Sequence, residues 1–223
     1  MTFRSLRPES VHGRQAEARR NDLVVLEVAR DVFSAVGADA PVSAVADRAG
    51  VGIGTLYRRY GSKAELLQRL CVLAMEQAVA AADDALGADD PWTGLAGYVR
   101  ACVELRSGAL AALAGQIETT AQMRAVARRS MTRLAEIVAR AHRDGSLRPD
   151  VTALDVTWLI EQFSRRPPDP VDADEERNVR ARLVAIALDG LRAQDGPQSQ
   201  TRQALPGRPP SQARYVRRWS SRS

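Results

Sequence analysis

The sequence predicts an all-α protein of about nine helices, with an N-terminal three-helix domain that contains a helix-turn-helix and a C-terminal helical bundle. Apolar residues recur every three or four positions between glycine and proline breaks. Hydrophobic residues make up 45% of the 223 residues but aromatic residues only 4%, which suits closely packed helices. No strand pattern stands out. We expect four regions: a flexible arm (1–18), the helix-turn-helix domain (19–80), the bundle (81–193) and a disordered tail (194–223).

The first helix is predicted to begin at Arg19 and to end at Gly37, since glycine is common directly after a helix. Residues 1–18 are polar and basic without apolar periodicity, and we therefore interpret them as the flexible arm. Along the helix, an apolar stripe with spacings of three and four residues predicts the buried side. This stripe consists of Leu23, Leu26, Ala29 and Phe33.

Two short helices joined by a glycine turn are predicted next. Pro41 suits the first turn of a helix, and Gly50 ends that helix. The second short helix begins at Gly52 or Ile53 and runs to about Tyr60. Two short helices with a tight glycine turn between them are typical of a helix-turn-helix.

The longer helices follow from capping signals and breaks. Ser62 with Glu65 three residues later predicts a capping box, which begins a helix over about 63–86. Thr152 with Asp155 predicts another. Further helices are expected near 91–106, 108–116, 119–143, 152–164 and 172–193. The last one is predicted to bury Val179, Leu183, Ile186, Ala187 and Leu191.

Basic residues are concentrated at the two ends of the chain. The net charge is +5, with +3 in residues 1–20 and +5 in residues 193–223, so that the middle carries −3. Overall basicity is therefore weak support for a nucleic-acid partner, and the local placement of charge must decide. Cys71 and Cys102 lie in apolar helical stretches and are expected to be buried, reduced thiols. Without a signal peptide or a membrane-spanning run, we expect a soluble cytoplasmic protein with no membrane partner.

Residues 50–63 carry the groups that suit contact with DNA. Gly50 and Gly52 permit a sharp bend, and Gly54 lets the backbone approach the duplex. Hydroxyl groups can contact phosphate, whereas arginine binds either phosphate or guanine. Lys63 is the only lysine of the chain and lies in the first turn of a helix. Arg59 has a second interpretation as a salt-bridged residue. The side chains in question are those of Thr55, Tyr57, Arg58, Arg59 and Lys63.

The segment A-G-V-G-I-G-T-L-Y-R-R-Y-G-S-K (49–63), together with F-S-A-V-G (33–37), resembles the N-terminal domain of the TetR family of tetracycline-repressor-like regulators. The resemblance covers about residues 19–80. It implies phosphate contacts from Thr55, Tyr57 and Lys63. Base or groove contacts would come from Ile53, Gly54 and Arg58, with Gly52 and Ser43 as further DNA-binding candidates. The chain departs from the family at Pro41-Val42 and at Gly52, where Thr or Ser is frequent.

The resemblance implies a sequence-specific regulator, a repressor that a small-molecule ligand releases from a palindromic double-stranded DNA operator. A single module reads few base pairs, so we expect a homodimer through helices 152–164 and 172–193. Its small residues would be Ala181, Ala185 and Gly190, and its larger apolar residues Leu183, Ile186, Trp158 and Phe163. Candidates for the ligand pocket, each of which has plain core packing as its alternative, are Trp92, Tyr98, Cys102, Met123 and Trp158.

Other classes find less support in the sequence. Its two histidines, His12 and His142, form no cluster with metal-ligand spacing, and no nucleophile elbow or phosphate loop is present. We therefore expect no enzymatic activity, no metal and no cofactor. The alternative that stays open is a helical ligand-binding or interaction protein without sequence-specific DNA reading.

Overall fold

The computed structural model describes residues 9–165, 172–193 and 203–220, with side chains from Asp22 onward. Within these ranges the chain is all-helical, with nine α-helices and one 3₁₀ helix. An isolated bridge between Leu147 and Arg192 is the only β-type pairing of the described residues. The α-helices are α1 (Glu9–Val36), α2 (Val42–Ala49), α3 (Ile53–Tyr60), α4 (Lys63–Leu86), α5 (Pro91–Glu104), α6 (Ala121–Arg143), α7 (Ala153–Phe163), α8 (Ala173–Leu191) and α9 (Gln212–Arg217), and the 3₁₀ helix is Ala109–Leu113.

The predicted capping signals begin the helices where expected. At the start of α4 the Glu65 amide donates to Ser62 Oγ at 3.2 Å, but the Ser62 amide donates to the Tyr60 carbonyl and not to the Glu65 side chain, so the predicted capping box is half formed. At the start of α7, both hydrogen bonds of the Thr152–Asp155 capping box are present. Gly50 ends α2 in the left-handed conformation, with φ of 67°, which a residue without Cβ adopts readily. These boundaries confirm the helices predicted from α2 to α4 and for α7.

Two buried apolar clusters form the core, and α4 contributes to both. The first cluster joins α1, α2, α3 and the first half of α4, and Phe33 and Leu70 lie at its centre with no exposed surface. The second joins the other half of α4 to α5, α6, α7 and α8 around Leu95 and Val99. α4 therefore connects an N-terminal head, which we define as residues 22–70, to the body formed by the later helices.

The N-terminal helix is longer than predicted. α1 begins at Glu9, ten residues before the expected start, so residues 9–18 are helical and do not form an arm. Six of these ten residues are Ala, Glu, Arg or Gln, which are good helix formers, and they extend a helix that packing already stabilises. Leu23, predicted to be buried, is half exposed. At 100° per residue it lies about 120° around the helix from the fully buried Ala29.

The segment predicted as a helix over 108–116 is a short 3₁₀ turn instead. Gly108 lies directly against α7, where a Cβ would be 2.7 Å from Glu161 Cα. Its amide also donates to Ser164 Oγ at 3.3 Å. This close approach fixes the chain at the start of the turn, and short 3₁₀ pieces are common as connectors.

The apolar side of α8 differs from the prediction. Val184 and Leu188 are the buried residues, and they face the second cluster, where α8 packs against α5. Val179, Leu183 and Ile186, which were predicted to be internal, are between 46% and 61% exposed. The apolar residues of α8 thus cover two sides of the helix, and only one of them packs within this chain.

The predicted disorder of the C-terminal tail is wrong for residues 203–220. This segment packs on the body and contains α9, and Trp219 lies against the first cluster. The prediction was based on the polar and basic composition of the tail. Tyr215 and Trp219 nevertheless supply the apolar surface that packs against the rest of the protein. Residues 1–8 of the predicted arm, and 194–202 and 221–223 of the predicted tail, lie outside the described residues.

None of the helices in the described ranges combines the length and the hydrophobicity that crossing a lipid bilayer requires.

Candidate nucleic-acid interface and body cavity

α2 and α3 form a helix-turn-helix in which α2 is the supporting helix. α2 buries Val42, Val45 and Ala46 in the first cluster. α3 buries only Leu56, which is 2% exposed. The turn between the helices ends at Gly52, whose extended backbone begins α3 without a side-chain cap. α3 thus has one fully buried residue, with Tyr60 partly buried at its end, and most of its surface faces solvent.

The solvent face of α3 carries the predicted contact residues. Ile53 and Tyr57 are each 45% exposed, and Gly54, Thr55 and Arg58 are also exposed. Arg58 Nη2 donates to Thr55 Oγ1 at 3.0 Å, so these two side chains lie together. A Cβ at Gly54 would have no neighbour closer than 4.0 Å. The face is open, with guanidinium, hydroxyl and apolar groups side by side, which is the mixture that base edges and phosphates accept.

Lys63 and Ser43 flank this face. Lys63 is the first residue of α4, and its Nζ lies 6.0 Å from the centroid of the Phe33 ring. Lys63 therefore lies in the first turn of α4, and the start of a helix favours an anion. Ser43 is exposed in the first turn of α2.

Arg59 and Tyr60 support α3 from behind. Arg59 Nη1 forms an ion pair with Asp22 Oδ1 at 3.3 Å. The Tyr60 hydroxyl donates to the same carboxylate, and burial raises the pKa of Tyr60 well above its ordinary value. Of the two interpretations of Arg59, the structure shows the salt bridge, which fastens α3 to α1.

Two arginines, Arg30 and Arg106, join the head to the body. The sequence did not predict this role for either of them. Arg30 of α1 donates to the Leu105 carbonyl and, at 2.9 Å, to Gln77 Oε1. Arg106, in the turn after α5, forms an ion pair with Asp31 and donates to Ser34 Oγ at 2.9 Å. Both arginines are buried. Their partners are about 50 to 75 residues away in sequence, so no local spacing could reveal them.

The body contains a cavity of about 860 Å³ between α4, α5, α6, α7 and the segment 203–220. Of the five predicted pocket residues, three line it, namely Tyr98, Cys102 and Met123. Burial raises the pKa of Tyr98 well above its usual range, and that of Cys71, another lining residue, to about 12. These groups are therefore neutral near pH 7, and the wall that they form is largely apolar.

The two predicted tryptophans are not among the residues that line the cavity. Trp92 packs at the second cluster with its ring 5.5 Å from the Arg192 guanidinium carbon. Trp158 contacts Tyr215 edge-on, with 6.0 Å between the ring centroids. Helix position explains both errors, because an aromatic residue on an amphipathic helix can face a neighbouring segment as readily as a central cavity.

Two family models match the chain. Residues 25–70 match the model described as "Bacterial regulatory proteins, tetR family", and residues 90–193 match "Transcriptional regulator SbtR-like, C-terminal domain". The first range covers the helix-turn-helix and the start of α4, and the second covers the body from α5 to α8. The comparison with curated proteins gives no match.

Solved structures with the same fold include several regulators. A TetR transcription regulatory protein from Mycobacterium vanbaalenii is 30% identical, with a TM-score of 0.54, and the match covers 80% of this chain and 98% of that one. PfmR, a TetR-family transcriptional regulator of Thermus thermophilus, is 25% identical, with a TM-score of 0.53 and coverage of 74% and 97%. The ketosteroid transcriptional regulator KstR2 of Mycobacterium tuberculosis is 22% identical, with a TM-score of 0.56 and coverage of 78% and 96%.

The matched segments contain the two features described above, the helix-turn-helix and most of the helices around the cavity. The helix-turn-helix with its open α3 face lies within the first matched range, and the cavity-forming helices α5 to α7 lie within the second. Members of this family are in general transcription factors and not enzymes. The chain belongs to the tetR family and is a DNA-binding transcription regulator.

Proposed function

We propose that this regulator is a homodimeric repressor, which binds a palindromic operator through α3 and leaves it when a small molecule enters the body cavity. The observation that carries the proposal is the exposure of α3, which buries Leu56 and leaves Ile53, Tyr57 and Arg58 in solvent. A helix of this kind fits the major groove, with its first residues at the base edges.

The contacts divide by chemistry. Thr55, Tyr57 and Lys63 would contact phosphates and set the position of the protein on the duplex, since phosphates carry no direct sequence information. Ile53, Gly54 and Arg58 would face the bases: Arg58 is suited to guanine, and the exposed Ile53 side chain to a thymine methyl group. Gly52 and Ser43, both exposed at helix starts, are further candidates for backbone contact.

The exposed side of α8 supports a dimer. Val179, Leu183 and Ile186 lie on this side at spacings of three and four residues, so that they form one apolar stripe. A two-fold interface buries the same surface of both subunits, so the stripe of one α8 would pack against that of its partner. A two-fold dimer on a palindrome would place the two α3 helices about 34–36 Å apart, or a multiple of one helical turn of DNA.

α4 supports the coupling between ligand and DNA. Lys63 lies at its first turn, next to the reading face, whereas Cys71, Met75 and Ala78 of the same helix line the cavity. A ligand that shifts the second half of α4 therefore also shifts Lys63. Such a ligand acts only by its difference in affinity for the two conformations.

Selection from randomised duplexes, followed by footprinting of the selected sequence, tests the proposal. We expect an enriched palindrome whose half-sites are separated by about one helical turn. A variant with Lys63→Ala and Tyr57→Phe serves as a control, because it should retain the motif with lower affinity. If no sequence is enriched, the protein is a helical ligand-binding or interaction protein without sequence-specific reading.

A further inference from the structure

The segment 203–220 closes one side of the body cavity. At its start, Arg148 Nη2 donates to the Gln203 carbonyl at 3.2 Å, and the Leu205 amide donates to Asp150 Oδ2 at 2.8 Å. Near its end, Thr119 Oγ1 donates to the Trp219 carbonyl at 2.9 Å. Between these points α9 crosses the cavity, and the lining residues of the segment are Gln212, Tyr215, Val216, Trp219 and Ser220.

Glu161 of α7 is the point where this segment meets the cavity. The residue lines the cavity and is only 3% exposed. Its Oε1 accepts from the Tyr215 hydroxyl at 2.8 Å, and its Oε2 accepts from Arg218 Nη1 at 3.0 Å. Among the described residues, both hydrogen-bond partners of this carboxylate therefore belong to the C-terminal segment.

Arg218 occupies a site with the features of a cation-binding site. Its guanidinium carbon lies 4.2 Å from the centroid of the Trp158 ring and 5.5 Å from that of Tyr215. A cation above an aromatic face is attracted to the ring, most strongly to that of tryptophan. The site thus combines the Glu161 carboxylate and the Trp158 ring, both on α7, and the cation that occupies it comes from the separate C-terminal segment.

The other charged residues that line the cavity do not neutralise Glu161. Glu118, Arg124 and Arg128 also line the cavity, but all three are exposed at its edge. The buried charge on the wall is therefore negative. A molecule that displaces Arg218 without supplying a positive charge would leave Glu161 unpaired or require it to take up a proton, and a cation avoids this cost.

We propose that Glu161, which lines the cavity, and Trp158, which lies behind the lining residue Tyr215, form a cation subsite adjoining the effector cavity. Arg218 occupies this subsite in the structure, and we propose that the effector is an apolar cation. An amine, guanidinium or quaternary ammonium group would take the place of Arg218, and its apolar part would lie against the residues of α4 and α6. Binding then displaces α9 from Glu161. The proposal rests on the proposed function only in that the cavity is the effector site.

Two probes of equal size and opposite charge test this proposal, the tetraphenylphosphonium cation and the tetraphenylborate anion. Calorimetric titration of the full-length protein with each probe gives a ratio of affinities. We expect the cation to bind at least about tenfold more tightly than the anion, as a charge-assisted contact with a buried carboxylate implies. Preference for the anion, which Arg124 and Arg128 would produce, or equal affinities overturn the proposal.

Three variants locate the site. Glu161→Gln keeps the size of the side chain and should reduce the cation-to-anion ratio about tenfold or more. Arg218→Ala should increase cation affinity, because the internal competitor is removed. Arg217→Ala is the matched control, since this neighbouring arginine is exposed and makes no contact with Glu161 among the hydrogen bonds and ion pairs of the described residues. If Arg218→Ala behaves like Arg217→Ala, or binds neither probe, the subsite is wrong.

Hydrogen exchange of the amides of residues 212–220 follows the displacement. The cation should accelerate exchange in this segment of the wild-type protein, and Arg218→Ala should show faster exchange without any probe. Unchanged exchange with bound cation overturns the displacement. The DNA selection uses no probe and is independent of these measurements. If the cation site fails its test, the repressor proposal is unaffected. If no DNA motif is enriched, the affinities for the two probes still test the cation site.

Discussion

Arg106 and Asp31 form an ion pair that fastens the turn after α5 to the first helix of the head. Arg106 is buried, and its backbone has φ of 52°, which is uncommon for a residue with a Cβ. The same side chain also donates to Ser34. A single residue of the body thus holds two residues of α1, next to the Arg30 contact with the Leu105 carbonyl.

We expect Asp31→Asn to lower the free energy of unfolding by about 1–3 kcal/mol, because a buried guanidinium loses its charged partner. Urea denaturation followed by circular dichroism measures this change. Asp47→Asn, at an exposed position of α2, is the control and should change stability by less than about 0.5 kcal/mol. Equal effects of the two substitutions would mean that the ion pair contributes nothing to the junction.

Two glycines of α5 should respond to alanine in opposite directions. A Cβ at Gly94 would lie 2.5 Å from the Ala85 carbonyl oxygen of α4, whereas a Cβ at Gly97 would meet nothing within 4 Å. Gly94→Ala should therefore destabilise the protein by about 1–3 kcal/mol through overpacking. Gly97→Ala should stabilise it by about 0.5–1 kcal/mol through helix propensity. Thermal unfolding of both variants checks the prediction, and two changes of the same sign would contradict it.

Lys63→Ala should weaken binding to all DNA sequences alike, because a phosphate contact carries no base information. The dependence of log affinity on log salt concentration should become shallower by about one per subunit. Fluorescence anisotropy at several salt concentrations measures both effects. Arg100→Ala removes a charge from an exposed position of α5 in the body and should leave the slope unchanged. An unchanged slope for Lys63→Ala would exclude the phosphate contact.

Arg58→Ala should cost about 1–3 kcal/mol of binding and relax specificity at one base pair of each half-site. Arg59→Ala, at the adjacent residue, removes the ion pair with Asp22 and should lower affinity without changing base preference. Binding to a set of operators with single substitutions distinguishes the two variants. A uniform loss for Arg58→Ala would reassign this side chain to a phosphate.

Ile186→Asp should convert the proposed dimer to a monomer, since it introduces a charge into the apolar stripe of α8. Val36→Asp introduces the same charge at an exposed apolar residue of α1 and should leave the dimer intact. Sedimentation equilibrium at micromolar concentration gives the masses. A dimer of unchanged stability in the α8 variant would place the interface elsewhere.

Local signals explain which parts of the fold could be predicted. Gly50, Ser62 and the Thr152–Asp155 pair determine helix ends through their own backbone and neighbouring amides, so the sequence indicates α2, α4 and α7 closely. Leu23 was misplaced because periodicity gives a face only approximately, and the packed neighbours decide where that face ends. Gly108 was missed as a contact because its constraint comes from α7, more than fifty residues later.

The candidate sites show the same division. Most candidate DNA-contact residues could be proposed from the sequence because they lie within a span of eleven positions, Ile53 to Lys63, in one motif. The cation subsite could not, since Trp158, Glu161 and Arg218 are brought together only by the packing of a segment whose composition suggests disorder. Long-range pairs of this kind leave no periodic signal, and an aromatic residue in a basic tail is the one hint that was available.

Arg218 and Glu161 belong to the same polypeptide, and the anchors at Gln203 and Leu205 keep the arginine near its carboxylate even when the two separate. A partner attached by a short flexible stretch has an effective concentration on the order of millimolar. A free cation that competes with Arg218 for this carboxylate must therefore offset the effective concentration of Arg218, either by a higher concentration or by a higher affinity. In the proposed displacement of Arg218, the effector concentration needed would depend on how firmly residues 203–205 are anchored. A substitution at Asp150, in the body and outside the helix-turn-helix, would therefore change that concentration.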